Sequence, residues 1–447
     1  MRRRSRSAVW PLAWRVHFFA GILVAPLLAV LCVTGIAYAF APELDALVYH
    51  RELASASPSS APLSLDAQVE AAARAVPRGT VVSVDPASSP GATTAVNLDL
   101  PGRSDPASDT YRTVYVDPGT ATVQGVLTTV SGRPPLQQWL REFHGTLRLG
   151  TVGGVYSELA ASWLPFLATG GLILWFARRR SRSRRGPRRR PRRGRLAGWH
   201  ALTGIALLAG IAFISVTGLT WSQYAGARFQ ALVDALHGRT PHLAANTLPY
   251  AGSGVGLDRA VGIARRQGLV GPLQVTVPHG SGAYLVGEIS QSWPIRQDSV
   301  AIDPASGRVI GRLDFAGYPL PAKLTALGID AHSGTLFGLA NQIGLSVFAL
   351  GLLAVIGLGY RMWWLRRPRG ALFARPPAPG SWRRLPSAAL IGGGAVLLAL
   401  CWALPLLGVS LIAFLVADGL VRRLGIDLAN RNAMKPALGD APIETAG

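Results

Sequence analysis

Five stretches of the chain are almost continuously apolar: Val16–Phe40, Leu159–Phe176, Leu196–Trp221, Leu345–Trp364 and Ser387–Ala417. A helix needs roughly 18–20 such residues to cross about 30 Å of hydrocarbon, so each stretch is a candidate span. The first four end near a Trp, Tyr or Phe, the residues that anchor helix ends at a membrane interface. The pattern predicts a membrane α-helical bundle with four core transmembrane helices. A first span ends at residue 40, and a mixed segment follows over 41–138. An interfacial stretch and second span cover 139–177, a loop 178–195, and a third span 196–221. A second mixed segment covers 222–331, an interfacial stretch and fourth span 332–365, and a loop 366–386. The last apolar stretch lies within 387–421, ahead of a tail over 422–447. Pro405 interrupts that stretch, which predicts either a helical hairpin or one kinked helix. The first span is long and has no clear small-x-small cleavage site before its end, which predicts a retained anchor rather than a signal peptide.

The pattern is written twice. His17 is followed by Gly21, Thr34 and Gly35, and His200 by Gly204, Thr217 and Gly218, at the same offsets. His144 runs on to Gly150 and Trp175, and His332 to Gly338 and Trp363, again at the same offsets. Each mixed segment opens with Leu-Asp and a stretch of helical character (Leu65-Asp66, Leu257-Asp258). Each closes on alternating apolar residues around an Asp-Pro pair (Asp117-Pro118, Asp303-Pro304). Those pairs read as strand, turn, strand, so each mixed segment is expected to be a small α+β unit.

A net charge of +22 raises the question of a nucleic-acid partner. The positions of the arginines answer it. Five lie within Met1–Arg15, twelve within Arg178–Arg195, five within Arg361–Arg375 and two at Arg383-Arg384, all flanking spans. Arginine gathered in short loops is the positive-inside signature. It predicts a multi-pass protein of the inner (plasma) membrane with a cytoplasmic N-terminus and cytoplasmic loops, and it places both mixed segments outside. The run Arg178–Arg195 also suits anionic lipid headgroups, and no aromatics interleave with it as nucleic-acid stacking requires. Only Cys32 and Cys401 occur, which excludes a disulfide framework or a cysteine metal site.

Both halves start and end in the cytoplasm, so the repeats run parallel and are related by an axis along the membrane normal. Such an axis keeps equivalent residues at one depth. His17 and His200 then share an inner level, and His144 and His332 an outer one. Two imidazoles facing each other, with glycines nearby to admit a flat ring, suit a six-coordinate haem with one histidine on each side. Zinc fits less well, because no Cys, Asp or Glu stands at ligand spacing. The competing reading is structural: His17 and His200 stand two and five residues from Arg15 and Arg195, where an interfacial side chain needs no ligand. His50, His237, His242 and His279 have no counterpart in the other half and are expected to be solvated. Asp117 and Asp303 read as a carboxylate pair or, equally, as turn residues. There is no nucleophile elbow, P-loop, Rossmann fingerprint or His-Glu-x-x-His motif.

These features together resemble the PepSY-associated transmembrane proteins, a family that includes iron-regulated membrane proteins and ferric-siderophore reductases. The resemblance covers about Trp14–Pro368. It rests on His17 with Thr34-Gly35, Phe143-His144-Gly-Thr-Leu, Trp199-His200 with Thr217-Gly-Leu-Thr-Trp221, Ala331-His332-Ser-Gly-Thr-Leu-Phe-Gly338 with Asn341-Gln342, and Trp363-Trp364-Leu-Arg-Arg-Pro368. The arginine-rich Arg178–Arg195 loop departs from it. The resemblance implies that the mixed segments are extracytoplasmic PepSY-like domains and that His17, His144, His200 and His332 are axial ligands of two b-type haems. It further implies electron transfer from a membrane or cytoplasmic donor to a ferric chelate or siderophore. Two other functions stay open: a haem-free PepSY protein that binds peptides or regulates a peptidase, and a component of iron or haem transport.

Overall fold

The computed structural model describes residues 2–58, 61–102, 109–182, 192–243, 254–278, 282–366 and 386–433. Half of the expected loop 178–195, nearly all of the expected loop 366–386, most of the tail and His279 lie outside the described residues. The chain folds into two compact units, residues 1–30, 155–228 and 351–447 in one and residues 31–154 and 229–350 in the other.

The first unit is built from apolar helices. Among the described residues three helices are long and apolar enough to span by themselves, α7 (Gly150–Arg182), α13 (Leu339–Trp364) and α15 (Pro405–Ala433). Two expected spans are broken instead. The first divides into α1 (Arg2–Leu23) and α2 (Ala25–Ala39) with a 52° bend, and the third into α8 (Arg192–Ala206) and α9 (Leu208–Leu219) with a 55° bend. Counting each bent pair as one span gives up to five. Pro26 accounts for the first break: it has no N–H to give the carbonyl of Ile22, and the hydroxyl of Tyr360 donates to that oxygen at 2.8 Å. The third stretch has no proline there, and its bend falls at Leu207, whose side chain lies against Gly351. The last apolar stretch is two helices, α14 (Ser387–Ala403) and α15, broken at Leu404; α14 buries none of its residues. Pro405 begins α15, the helix position where a missing N–H costs nothing.

The second unit carries α3 (Ala41–Val48), α4 (His50–Leu53), α5 (Leu65–Ala75), α6 (Pro135–Thr146), α11 (Leu257–Arg266) and α12 (Leu320–Ser333); α10 (Tyr224–Ala235) leads into it. Its strands are β1 (Thr80–Asp85), β2 (Thr94–Asp99), β3 (Thr110–Val116), β4 (Val123–Val130), β5 (Leu273–Thr276), β6 (Tyr284–Glu288), β7 (Ser299–Ile302) and β8 (Val309–Leu313). Each mixed segment does open on a helix and close on a strand, Asp-Pro turn and strand. The two are nevertheless not separate domains. Their strands form a single antiparallel sheet in the order β4-β3-β2-β1-β5-β6-β7-β8, joined where Ser83 pairs with Thr276 and Val84 with Val275.

The reason is burial. Four short strands and one helix enclose too little apolar surface by themselves, whereas the joined sheet gives one core. Leu65, Val84, Leu98 and Val116 from the first segment pack in one cluster with Leu257, Leu273, Val286 and Ile302 from the second. The Leu-Asp pairs reinforce the union reciprocally. The N–H of Leu65 donates to the Asp258 carboxylate at 2.9 Å, and that of Leu257 to Asp66 at 3.2 Å, so each helix start is capped by the other segment.

The two Asp-Pro carboxylates are turn residues at opposite ends of this sheet, not a catalytic pair. Asp117 is buried and accepts from the hydroxyls of Ser55 and Ser57 and from the N–H groups of Ser57 and Gly119. Asp303 accepts from Ser306 and Ala305 at the surface. Burial alone would raise the Asp117 carboxyl, but its hydrogen bonds outweigh that and hold it at about 2. A depressed acid contributes stability that is complete above its unfolded value near 4 and is lost as pH falls through about 2. The protection factor of the Ser57 amide, taken against its intrinsic exchange rate at each pH, is therefore expected to fall between pH 4 and 2 in the native chain. In Asp117→Asn that factor should already be low at pH 6 and change little with pH; equal protection factors in both chains would refute the clamp.

Candidate functional site

Four histidines stand at repeated offsets, and the folded chain shows why those offsets recur. His17 lies on α1 and His200 on α8. Their ring centres are 6.2 Å apart, with the planes nearly perpendicular at 86°. The Nδ1 of His17 is 3.1 Å from the carbonyl oxygen of Leu167 on α7, and the Nδ1 of His200 is 3.0 Å from that of Val355 on α13. A carbonyl only accepts, so Nδ1 carries the proton in both rings and Nε2 keeps its lone pair. Leu167 and Val355 stand 23 residues beyond His144 and His332 respectively, so the acceptors repeat along with the histidines.

Glycine eases the approach of His17, where a Cβ would be tight, and lies in ordinary contact distance of His200. The residue four after each acceptor carbonyl, on the same helix face, is Gly171 or Gly359. A Cβ on Gly171 would come within 3.2 Å of His17 Cε1, and one on Gly359 within 3.6 Å of His200 Cε1. Conversely, Gly21 and Gly204, one turn beyond each histidine, face open space in which a Cβ would meet nothing within 4 Å. The rings are thus pressed onto helix backbone on one side, with room left beside them.

Two imidazoles that ligate one metal from opposite sides through Nε2 have ring centres roughly 6.3 Å apart, given metal–nitrogen bonds of about 2.0–2.1 Å. The observed 6.2 Å matches this. Among the described residues no group of three or more His, Cys, Asp or Glu side chains gathers around a point. The separation of the two ring centres is the one that a group with its own equatorial donors and two axial bases would ask for.

His144 lies on α6 and His332 on α12, the helices that precede α7 and α13. The Nδ1 of His144 is 2.9 Å from the Thr34 hydroxyl on α2, which itself donates to the carbonyl of Leu31 at 3.3 Å and so accepts from the imidazole. Gly35 lets the ring close on α2, since a Cβ there would stand 3.1 Å from His144 Cε1. The Thr-Gly pair of the first repeat is thus the seat of the outer histidine. Tyr38 stacks parallel to the same ring at 6.3 Å. Burial pushes His144 and His332 down to about 4, and for His332 the repulsion of a charged His144 adds to it. Both are neutral at pH 7, the form that offers a lone pair.

The geometry therefore gathers the inner pair, and seats His144 against α2 by its own contacts. A family model described as the PepSY-associated TM region matches residues 14–366. The chain belongs to this family. The matched region contains all four histidines and ends before α14 and α15. No curated protein matches this PepSY-associated chain. His50, His237 and His242 are exposed, as expected for histidines without counterparts. Sequence reasoning missed Leu167, Val355, Gly171 and Gly359. The signal was present, for each glycine stands 27 residues beyond its outer histidine. It was hidden because a backbone carbonyl leaves no mark on residue identity and glycine is common in membrane helices.

Proposed function

We propose that this PepSY-associated membrane protein binds two b-type haems, one on His17 with His200 and one on His144 with His332. In this reading it passes electrons across the inner membrane to ferric iron held in a chelate, such as a siderophore, at the extracytoplasmic face. The observation that carries the reading is the inner pair: two imidazoles at axial-ligand separation, each with Nδ1 committed to a carbonyl at a matched position. When bound, a haem supplies four equatorial nitrogens and a one-electron iron couple.

This chain's own residues do the rest. The Nδ1–carbonyl bonds fix the tautomer and the ring angle and raise the basicity of Nε2. The Thr34 hydroxyl does the same for His144. The apolar helices hold water away, which sets the potential together with those hydrogen bonds. With the arginine-rich loops in the cytoplasm, the inner level faces a quinone or cytoplasmic donor and the outer level faces the chelate. One electron converts Fe(III) to Fe(II) in the chelate, whose hard oxygen donors hold the less charged ion more weakly. The iron then exchanges out.

The test is a reduced-minus-oxidised spectrum of protein purified from cells supplied with haem. The expected result is a b-type α-band and a haem content of two per chain. A colourless, folded protein would overturn the reading and leave a haem-free binding module.

A further inference from the structure

Helix α15 lies beyond the family region, and it grips the first helix on the side away from His17. One face of α15, formed by Leu407, Ser410, Leu411, Phe414 and Asp418, follows helical spacing and packs inward, with Leu407 and Asp418 both buried. Three contacts anchor it. Asp418 forms a buried ion pair with Arg15, whose guanidinium also lies 4.8 Å from the centre of the Phe19 ring. Phe414 packs on Phe19 with ring centres 5.9 Å apart. Ser410 accepts from the indole N–H of Trp163 on α7 at 2.9 Å. Arg15 and Phe19 are one turn apart on α1, and His17 lies two residues from each, which at about 100° per residue turns it to the opposite side.

We propose that Asp418 is a positioning residue for the inner histidine pair: through Arg15 it fixes the rotation of α1 and thereby the approach of His17 to His200. This rests on the haem reading for its spectroscopic consequence, though not for its geometry. A helix held on one side only by van der Waals contact can roll, and a buried, hydrogen-bonded ion pair between helices resists rolling because a partial separation weakens the pairing of two charges in apolar surroundings. The same face of α15 reaches α7, the helix that supplies the Leu167 carbonyl to His17. Helix α15 therefore registers the imidazole and its acceptor together.

The test uses the full-length chain with two readouts. In Asp418→Asn, which keeps the shape and removes the charge, the haem that His17→Ala abolishes should lose more than half its occupancy or change its low-spin resonance signature. The haem that depends on His144 should be unaffected. Arg15→Met combined with Asp418→Leu, which removes both charges, should restore most of the signal. Independently of haem, a chain carrying Cys32→Ser and Cys401→Ser with His17→Cys and His200→Cys should be cross-linked by a short bis-maleimide, with a yield several-fold lower when Asp418→Asn is added. Unchanged spectra with unchanged cross-linking would overturn the proposal, and so would an equal loss of both haems, which marks general unfolding. A wild-type chain without haem would defeat the functional reading alone, since the cross-link still reports the position of residue 17.

Discussion

His17→Ala and His200→Ala are each expected to remove the same half of the b-type absorbance. In the proposed haem reading each variant deletes one of two axial bases from a single site, and a six-coordinate low-spin haem cannot persist with one. The double variant should therefore lose no more than either single one, the non-additivity of residues that act as a unit. His144→Ala should remove the other half, together with His332→Ala, and should leave the inner signal intact. The discriminating result is the pairing. If His17→Ala and His144→Ala abolished one haem in common, sites would be built within each half rather than between like levels, and the 6.2 Å approach of His17 to His200 would have no cofactor role.

Leu273→Ala is expected to loosen both mixed segments at once. Leu273 is 1 % exposed in β5, next to the seam strand β1, and belongs to a cluster drawn from both segments. Truncating a buried leucine costs about 2–5 kcal/mol, with the larger values where the surroundings cannot collapse into the space. A sheet continuous across the seam should respond cooperatively. Hydrogen exchange at β3 and β4 of the first segment is then expected to accelerate alongside that at β7 and β8 of the second. Acceleration confined to the second segment would mean two domains that merely touch.

The spans were legible because a run of apolar residues has one solution in a bilayer, and the repeated offsets were legible because a duplicated module keeps its spacing. Membership of the PepSY-associated family followed from the same residues. Less was legible wherever the partner is backbone or lies far along the chain. The Leu-Asp pairs looked like local helix starts, yet Asp66 and Asp258 cap each other's helices across some 190 residues. Thr34-Gly35 looked like a membrane-helix pattern, yet it seats His144. The bends at Val24 and Leu207 fall at equivalent positions, but only the first has a proline to announce it.

By itself, the sequence determined that this chain crosses a membrane several times, which loops carry the arginines, that it consists of two copies of one plan, and which four histidines the copies share. Apolar length, charge and spacing are local quantities, and a linear chain states them outright. Only the tertiary structure decided that the two α+β segments share one sheet, that His17 and His200 approach to 6.2 Å with their Nδ1 atoms on matched carbonyls, and that Asp418 meets Arg15. Each of these joins groups 150 or more residues apart, and what selects them is the burial of apolar surface and the pairing of polar groups that burial would otherwise strand.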